Sequence, residues 1–377
     1  MFGNIYHAYE HDTTKVTGTD WNAAHLDANS VTYYGAVGDG TTDDTTAIKA
    51  AITAVEAMPR SSRAHPTLYF PPASGDGYLV TEPIAVGQNV NVIMDSPILY
   101  DRDEDDAVAV LTIGATGANQ SFRVRHKLSV VNIGTSGSWS VGEFGILLLN
   151  HYECDIRIDE VSNFRAGLTC RGDATGFAYN TVSLGRLYNC LRGVTLDATT
   201  AGWCNENLFL GGRFGIQSGL NEGTIRYGVV IWSSDDTYTI NNNNVFIKPS
   251  FELLSDGYPI NIQAGVYNQF YYCRNEGNSA NLLTVGGTAT RDNVVHVGYP
   301  SSAGTWAIND DSTVKRNSVQ QVYGDGYYSG TAAPSTGTWL RGQRVWNKEP
   351  SAEGYVGWVC TSGGSPGTWK GFGAIQA

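Results

Sequence analysis

Two glutamates, Glu252 and Glu276, occupy equivalent positions in a sequence repeat and are the chain's strongest candidates for chemistry. Each lies eight residues after an asparagine that begins a repeat, Asn244 or Asn268. If successive repeats stack as parallel strands roughly 4.8 Å apart, the two carboxylates stand one above the other. Carboxylates this close do not ionise independently, so we expect the pKa of one of them to rise.

A carboxylate pair of this kind is what a glycosidase needs. One acid protonates the leaving oxygen, and one carboxylate acts as nucleophile or base. A spacing of about 5 Å between the two carboxylates favours retention. Arg186, Arg213 and Arg274 each lie six residues after a repeat asparagine, so Arg274 is predicted beside the pair, and Arg213 is predicted to bind substrate. In a lyase, Arg274 would instead be the base or would neutralise a uronic acid carboxylate. Alternatively, Arg274 only bridges the two glutamates in a structural ladder.

An insertion beside this pair supplies candidate substrate-binding residues. The segment WSSDDTYTINNNN contains Trp232, Asp235, Asp236 and Tyr238 and produces the longest gap between repeats. Long loops on a solenoid commonly line its binding face. We therefore expect the insertion to form one wall of a sugar-binding groove beside Glu252.

The element that must position these residues is a sequence repeat. Each repeat unit is 24 to 37 residues long and begins with an Asn followed by a short apolar run. The repeat asparagines are Asn180, Asn207, Asn244, Asn268, Asn293 and Asn317. One strand per period of this length is typical of a solenoid. The residues two positions later are predicted to stack inward; they are Val182, Phe209, Phe246, Phe270, Val295 and Val319. The asparagines themselves are expected to form a hydrogen-bonded ladder at a turn.

Composition favours an all-β chain and limits its partners. The 377 residues include 45 Gly and only 16% charged residues, which indicates short strands and tight turns. The net charge of −12, with no basic run, disfavours nucleic acid and anionic membranes and leaves glycans open. The first residues lack a basic region followed by an apolar core, so we expect no secretion signal there, and no apolar run reaches the roughly 18 residues of a membrane span.

No cofactor is expected. The six cysteines are far apart and lack zinc-ligand spacing, so they are interpreted as buried hydrophobic residues, with disulfides as the alternative. The acidic run at 101–106 is predicted to be a solvated loop; calcium binding there is the alternative, although the ligand spacing does not support it. Single histidines such as His151 and His296 are expected to be satisfied within strands.

The predicted organisation is a lead-in at 1–30, a β-solenoid at 31–325, a linker at 326–338 and a small Trp-rich β module at 339–377. Val31–Tyr34 is predicted to be a strand, followed by a glycine-rich turn and a helix near 43–58 that covers the first coil. The three aspartates before that helix are assigned to turn and capping roles. The module's tryptophans form its core, or else stack on sugars.

The segment YGAVGDGTTDDTTAIKAAI, followed by TLYFPPASGDGYLVTEPIAV, resembles the entry to the pectate-lyase-like right-handed parallel β-helix superfamily. That superfamily includes polysaccharide lyases, glycoside hydrolases and phage tailspikes. TDWNAAH within the lead-in resembles a segment near the start of phage tail proteins, and the Trp-rich module is similar to C-terminal modules of tailspikes. The resemblance implies a right-handed parallel β-helix, a homotrimer, and attachment to a virion tail through residues 1–30.

These observations favour a tailspike-like depolymerase that binds and cleaves a bacterial surface or extracellular polysaccharide, by hydrolysis rather than by a lyase reaction. Its expected location is the virion tail. A non-catalytic receptor-binding or structural spike is the first alternative. The second is a free, extracellular microbial enzyme of the pectate-lyase-like type.

Overall fold

The computed structural model describes residues 29–61, 63–101, 108–117, 120–134, 144–199, 201–216, 226–233, 240–253, 257–276, 281–287, 289–300, 307–312, 316–321 and 328–377. Within these ranges the chain forms a parallel β-helix preceded by one α-helix, α1 (Thr45–Glu56), and followed by a small sheet. The predicted all-β solenoid is therefore confirmed. The lead-in at 1–28, the acidic run from 102 and the insertion at 234–239 lie outside the described residues.

The strands of the first half are β1 (Thr67–Phe70), β2 (Tyr78–Val80), β3 (Ile84–Val86), β4 (Asn91–Met94), β5 (Ile98–Tyr100), β6 (Ala109–Ile113), β7 (Ser121–Phe122), β8 (Arg125–Asn132), β9 (Phe144–Leu149), β10 (His151–Tyr152), β11 (Asp155–Ser162), β12 (Ala166–Gly172), β13 (Gly176–Ala178), β14 (Thr181–Tyr188), β15 (Arg192–Ala198) and β16 (Trp203–Asn205). Those of the second half are β17 (Leu208–Gly215), β18 (Arg226–Ser233), β19 (Asn241–Asn242), β20 (Val245–Ile247), β21 (Ser250–Glu252), β22 (Gly257–Ile262), β23 (Gln269–Asn275), β24 (Asn281–Val285), β25 (Val294–Pro300), β26 (Ala307–Asp310), β27 (Ser318–Gln321), β28 (Tyr328–Gly330), β29 (Arg344–Asn347), β30 (Tyr355–Ser362) and β31 (Thr368–Ala374).

Each coil passes through three stacked parallel sheets in turn. The five-stranded sheet has the order β19-β16-β13-β10-β7 and leads into the long sheet, whose main path runs from β1 to β27. The chain then turns into the nine-stranded sheet, β26-β24-β22-β18-β15-β12-β9-β6-β3. In a parallel sheet, residues at the same register of successive coils are neighbours one strand spacing apart. The long sheet carries the predicted carboxylate pair.

The repeat asparagines form the predicted ladder at the turn between the five-stranded and long sheets. In each coil the side-chain amide donates to the Oδ1 of the next asparagine, over 2.8 to 3.0 Å. The same Oδ1 also accepts the preceding asparagine's backbone N–H, and the amide's second hydrogen reaches a carbonyl of the previous coil. Every hydrogen-bonding position of an interior side chain is therefore filled, as buried amides require.

Two residues further on, the apolar side chains stack inside the coil as predicted. Phe246 lies between Phe209 and Phe270, with ring centroids 4.3 and 4.6 Å apart and planes 6° from parallel. All three side chains are fully buried. The six cysteines are free and buried, so the hydrophobic interpretation is confirmed and the disulfide alternative is wrong.

Two histidines share a hydrogen-bonded chain inside the early coils. The N–H of Val92 donates to His126 Nδ1 over 3.2 Å, so this nitrogen carries no proton. His126 Nε2–H therefore donates to His151 Nε2 over 3.1 Å, and His151 Nδ1–H donates to the carbonyl of Leu149. Burial lowers the pKa of His151 to about 4, and burial together with His151 lowers the pKa of His126. Both rings are therefore neutral, and the expected satisfied state of His151 is confirmed.

Helix α1 covers the first coil with the predicted face. Ile48, Ala51, Ile52 and Val55 are buried. The preceding aspartates have the structural roles assigned to them; for example, Asp44 accepts the backbone N–H of Val37 and of Gly38.

The predicted strand at Val31–Tyr34 is wrong: this segment is a 3₁₀ helix. Gly35 adopts a left-handed conformation with φ 100°, and its N–H donates to the carbonyl of Thr32, which closes the turn. Only Ser30, just before the turn, pairs with the first strand, through Tyr69.

The C-terminal sheet has the order β28-β29-β30-β31, with one parallel and two antiparallel pairs. Its first strand lies inside 326–338, the segment predicted to be a linker, because Tyr328–Gly330 pairs with Val345–Asn347. The tryptophans are half-buried, and three of them contact other aromatic rings: Trp339 lies edge-on to Trp369 at 5.1 Å, and Trp346 lies edge-on to Phe372 at 5.6 Å.

Candidate functional site

The register of the long sheet places Glu252 and Glu276 on consecutive coils. Ser250 pairs with Arg274, and the N–H of Glu276 donates to the carbonyl of Phe251 over 2.8 Å. One coil earlier, Gly215 pairs with Glu252. The two glutamates therefore stand one above the other on the outer face at the end of the long sheet, where counting from the repeat asparagines predicts them.

Arg274 lies against the pair as predicted, and Arg213 lies against it as well. The Arg213 guanidinium forms a forked contact with Glu252, in which Nε lies 3.0 Å from Oε1 and Nη2 lies 2.8 Å from Oε2. Arg274 contacts the Glu276 carboxylate through Nη2. The Glu252 and Glu276 side chains remain 27% and 34% exposed, so a ligand in solution can reach them.

The expected rise in the pKa of one carboxyl does not occur at Glu252. Its pKa is lowered, chiefly because Arg213 donates hydrogen bonds to the carboxylate and, secondarily, through the charges of Arg213 and Arg274. The same contact raises the pKa of Arg213. Repulsion between the two glutamates favours a protonated carboxyl group, but the bidentate contact with the Arg213 guanidinium favours the ionised form more strongly.

Tyr188 lies in the same register as the two glutamates and forms a row with them along the edge of the long sheet. It lies eight residues after Asn180, the same offset as in the two glutamates, so the counting rule could have identified it. Gly215 on the next coil has no side chain, and the Tyr188 ring lies over it, about 2.8 Å from where a Cβ would stand. The Arg186 guanidinium lies 4.2 Å from the ring centroid. An aromatic ring therefore adjoins the carboxylates.

Trp232 lies elsewhere, which corrects the prediction of a groove wall beside Glu252. Gly257, five residues after Glu252, pairs with Arg226 at the start of β18, whereas Trp232 is close to the strand's end. Six extended residues separate the two ends by about 20 Å. Asp235, Asp236 and Tyr238 lie outside the described residues.

Trp232 belongs to a second polar row, on the nine-stranded sheet. It is 44% exposed, and its Nε1–H donates to Asp197 Oδ1 over 2.9 Å. Asp197 also accepts a hydrogen bond from Arg171 Nε over 2.6 Å. At the beginning of strands β18 and β22 of the same sheet, the rings of Tyr227 and Tyr258 stack with their centroids 5.6 Å apart. The asparagine count could not align these residues, because insertions of different lengths separate them from the ladder.

No group of three or more His, Cys, Asp or Glu side chains within the described ranges could hold a metal ion. No helix in those ranges is long and apolar enough to cross a membrane.

Stacked parallel sheets, a ladder turn and a covering helix together define a parallel β-helix. Residues 28–102 match the model of the family described as "Rhamnogalacturonase A/epimerase, pectate lyase-like". The predicted resemblance to this superfamily is confirmed. No curated protein matches the chain in sequence.

Solved structures similar to this chain include phage proteins. ORF18 of Geobacillus virus E2 has a TM-score of 0.57 at 16% identity, covering 89% of this chain and 69% of its own. Tailspike protein 2 of the Escherichia coli O157:H7 bacteriophage CAB120 has a TM-score of 0.38 at 12% identity, covering 88% and 50%. The Dettilon tailspike protein gp208 has a TM-score of 0.32 at 17% identity, covering 76% and 69%. The similarity to ORF18, at 16% identity, is one of fold.

Proposed function

We propose that this protein binds a bacterial surface or extracellular polysaccharide and cleaves it by hydrolysis, as a phage tailspike-like depolymerase. The observation that carries the proposal is the row formed by Tyr188, Gly215, Glu252 and Glu276 on four successive coils. The tyrosine ring offers apolar surface for a pyranose, and the two carboxylates that adjoin it belong to consecutive coils, roughly 4.8 Å apart.

The charges suggest a role for each carboxyl group. Arg213 holds Glu252 ionised, so Glu252 is the nucleophile or base, and Glu276 is the acid that protonates the leaving oxygen. Successive coils are roughly 4.8 Å apart. This spacing is close to the separation of the two carboxyl groups in retaining enzymes, about 5–5.5 Å, and therefore favours retention. Arg274, which contacts Glu276, is also placed to bind an acidic group on the substrate. Trp232 and the insertion residues Asp235, Asp236 and Tyr238 are proposed to bind more distant sugars.

A non-catalytic receptor-binding spike is the second candidate, and a specific observation favours it. Both glutamates are ion-paired with arginines, an arrangement that also stabilises a purely structural row. In that case the same face binds the polysaccharide without cleaving it. A lyase with Arg274 as its base and a free extracellular enzyme are further alternatives. A virion-tail location and attachment through residues 1–30 remain proposals that rest on the resemblance.

Incubation with a panel of capsular and extracellular polysaccharides distinguishes these functions. Hydrolysis releases new reducing ends without the ultraviolet absorbance of an unsaturated product, whereas a lyase produces both. Retained binding without either product supports the non-catalytic spike. If no polysaccharide binds and none is cleaved, the proposal is wrong.

A further inference from the structure

A cleft lies at the opposite end of the long sheet's strands from the carboxylate pair, at the turn that carries the asparagine ladder in later coils. Its volume is about 260 Å³, and it is lined by Arg63, Phe122, Arg123, Tyr152 and Glu153. Phe122 and Tyr152 belong to the five-stranded sheet, whereas the predicted carboxylate pair ends strands of the long sheet. The cleft is therefore a separate place on the molecule.

The walls of the cleft are aromatic. Tyr152 lies between two rings, with its centroid 5.5 Å from Phe122 and 5.1 Å from Tyr179. Both neighbouring contacts are tilted or edge-on, at 56° and 64°, and Tyr179 is 53% exposed. Aromatic side chains arranged this way keep ring surface available to a ligand, and a tyrosine adds a polar tip.

The rim of the cleft is charged, with two arginines and one glutamate. Arg123 and Glu153 occupy the same left-handed turn position in successive coils, with φ 54° and 55°, which aims both side chains outward. They form an ion pair in which Arg123 Nε lies 2.7 Å from Glu153 Oε2. Arg63 adds a second positive charge, so the rim carries one net positive charge.

Aromatic walls, paired hydrogen-bonding groups and one excess arginine match a particular ligand chemistry. Small-molecule sites of about 300–1,000 Å³ bury drug-sized ligands, so this cleft suits a single sugar ring. We propose that it binds one uronic acid residue of a glycan. Arg63 binds the carboxylate, Tyr152 packs against the ring's apolar face, and the Arg123–Glu153 pair hydrogen-bonds the hydroxyls. This site does not depend on the chemistry proposed for Glu252 and Glu276.

The test is a titration of the full chain with methyl glucuronide and, separately, with methyl glucoside. Binding is measured by saturation-transfer NMR. We expect methyl glucuronide to bind more tightly, and Arg63→Gln to raise its Kd at least about tenfold, the effect of losing about 1.4 kcal/mol. Arg63 lies on an exposed loop, so the variant keeps the fold. Tyr152→Leu, which retains apolar packing, should weaken both sugars.

Two controls keep the result specific to the cleft. Arg344→Gln removes the same charge from the exposed face of β29 and should leave both Kd values unchanged. Glu252→Gln should also leave them unchanged, so loss of polysaccharide cleavage and loss of this site are distinguishable. The proposal would be overturned by any of three results: no saturation transfer to either sugar, equal binding of the two sugars, or an unchanged Kd in Arg63→Gln.

Discussion

Arg213 fixes the charge of Glu252, and this single contact explains why the carboxyl pKa falls where the spacing of the carboxylates predicts a rise. Arg213→Gln should therefore raise the Glu252 pKa toward its ordinary value of 4.5. Carboxyl NMR of glutamate-labelled protein, with Glu252→Gln for assignment, measures the change. An unchanged pKa would show that Arg213 does not control this group.

The same contact should contribute little to stability. A carboxyl whose pKa is lowered by folding stabilises the protein above its unfolded pKa, and this stability is lost as the pH falls through the folded pKa. Because the Arg213 side chain is 58% exposed, water screens the pair, and we expect Arg213→Gln to cost less than about 1 kcal/mol.

The buried histidine pair should lower the free energy of unfolding as the pH falls. This effect should begin at a higher pH than the effect of the Glu252 carboxyl group. Neutral His126 and His151 must become charged against burial, so the unfolded chain binds protons first, from about pH 6.5 downward. We expect the free energy of unfolding to fall between pH 6.5 and 5, by up to about 1.4 kcal/mol per pH unit for each ring. Urea unfolding at several pH values measures the slope.

Two variants test the origin of that slope. A His126→Leu/His151→Leu double variant should lose most of it, whereas His296→Gln, which changes a half-buried histidine on the outer face, should keep it. A wild-type free energy that stays constant over this window would contradict the assignment of two neutral rings.

At the scale of single residues, the sequence predicts positions better than partners. The asparagine count places Glu252, Glu276, Arg213 and Arg274 together because each repeat adds one complete coil. It does not reveal that Arg213 contacts Glu252 diagonally, because Arg213 pairs in register with Ser250 and the count does not give the direction of a side chain. The count also fails for Trp232, because a loop insertion breaks the relation between sequence distance and coil number.

Among the elements, the asparagine ladder should contribute the most stability per residue. Asn244→Ala removes the acceptor of two Asn207 donors and the donor to Cys204, all inside the coil. Each buried group left unsatisfied costs about 1–3 kcal/mol, so we expect a loss of roughly 3 kcal/mol or more. Chemical denaturation measures it.

Asn317→Ala provides the matched comparison at the end of the ladder. Its side chain is only half-buried, and water can replace part of what it loses. We expect a clearly smaller loss than for Asn244→Ala. Equal losses would mean that the ladder's effect does not come from burial of its amides.

Elements that follow the repeat are predictable, and those that depend on a local turn are less so. Phe246 and its neighbours stack inward because strand alternation fixes their side, and the apolar face of α1 follows from helical spacing. Val31–Tyr34 has the composition of a strand, yet Gly35 allows a tight turn that the residues alone do not distinguish. The strand at Tyr328–Gly330 likewise depends on pairing with a segment further along the chain.

For the whole molecule, the resemblance to tailspikes predicts a homotrimer. Exposed aromatic side chains on the coil, such as Tyr267 and Tyr272, each about half exposed, are surfaces that contact between chains would bury. Sedimentation equilibrium should give about three times the chain mass of 40.6 kDa. A mass equal to that of one chain across the concentration range would contradict the prediction.

The overall architecture is the best-predicted level, because a solenoid converts a repeat in sequence directly into a stack in space. Function is less accessible at this scale, since the same β-helix carries different chemistries. Activity must therefore be argued from the row at Tyr188, Glu252 and Glu276, and tested there.

The most direct test is the initial rate of reducing-end release from the most rapidly cleaved polysaccharide of the panel, compared between wild type, Glu252→Gln and Glu276→Gln. Removing a positioned acid or base typically costs about 10²–10⁴ in rate, and we expect both variants to lose at least about a hundredfold. Glu206→Gln, an exposed glutamate on the ladder turn, should retain the wild-type rate. Full activity in both Glu252→Gln and Glu276→Gln, or the absence of cleavage by the wild type, would contradict hydrolysis at this row.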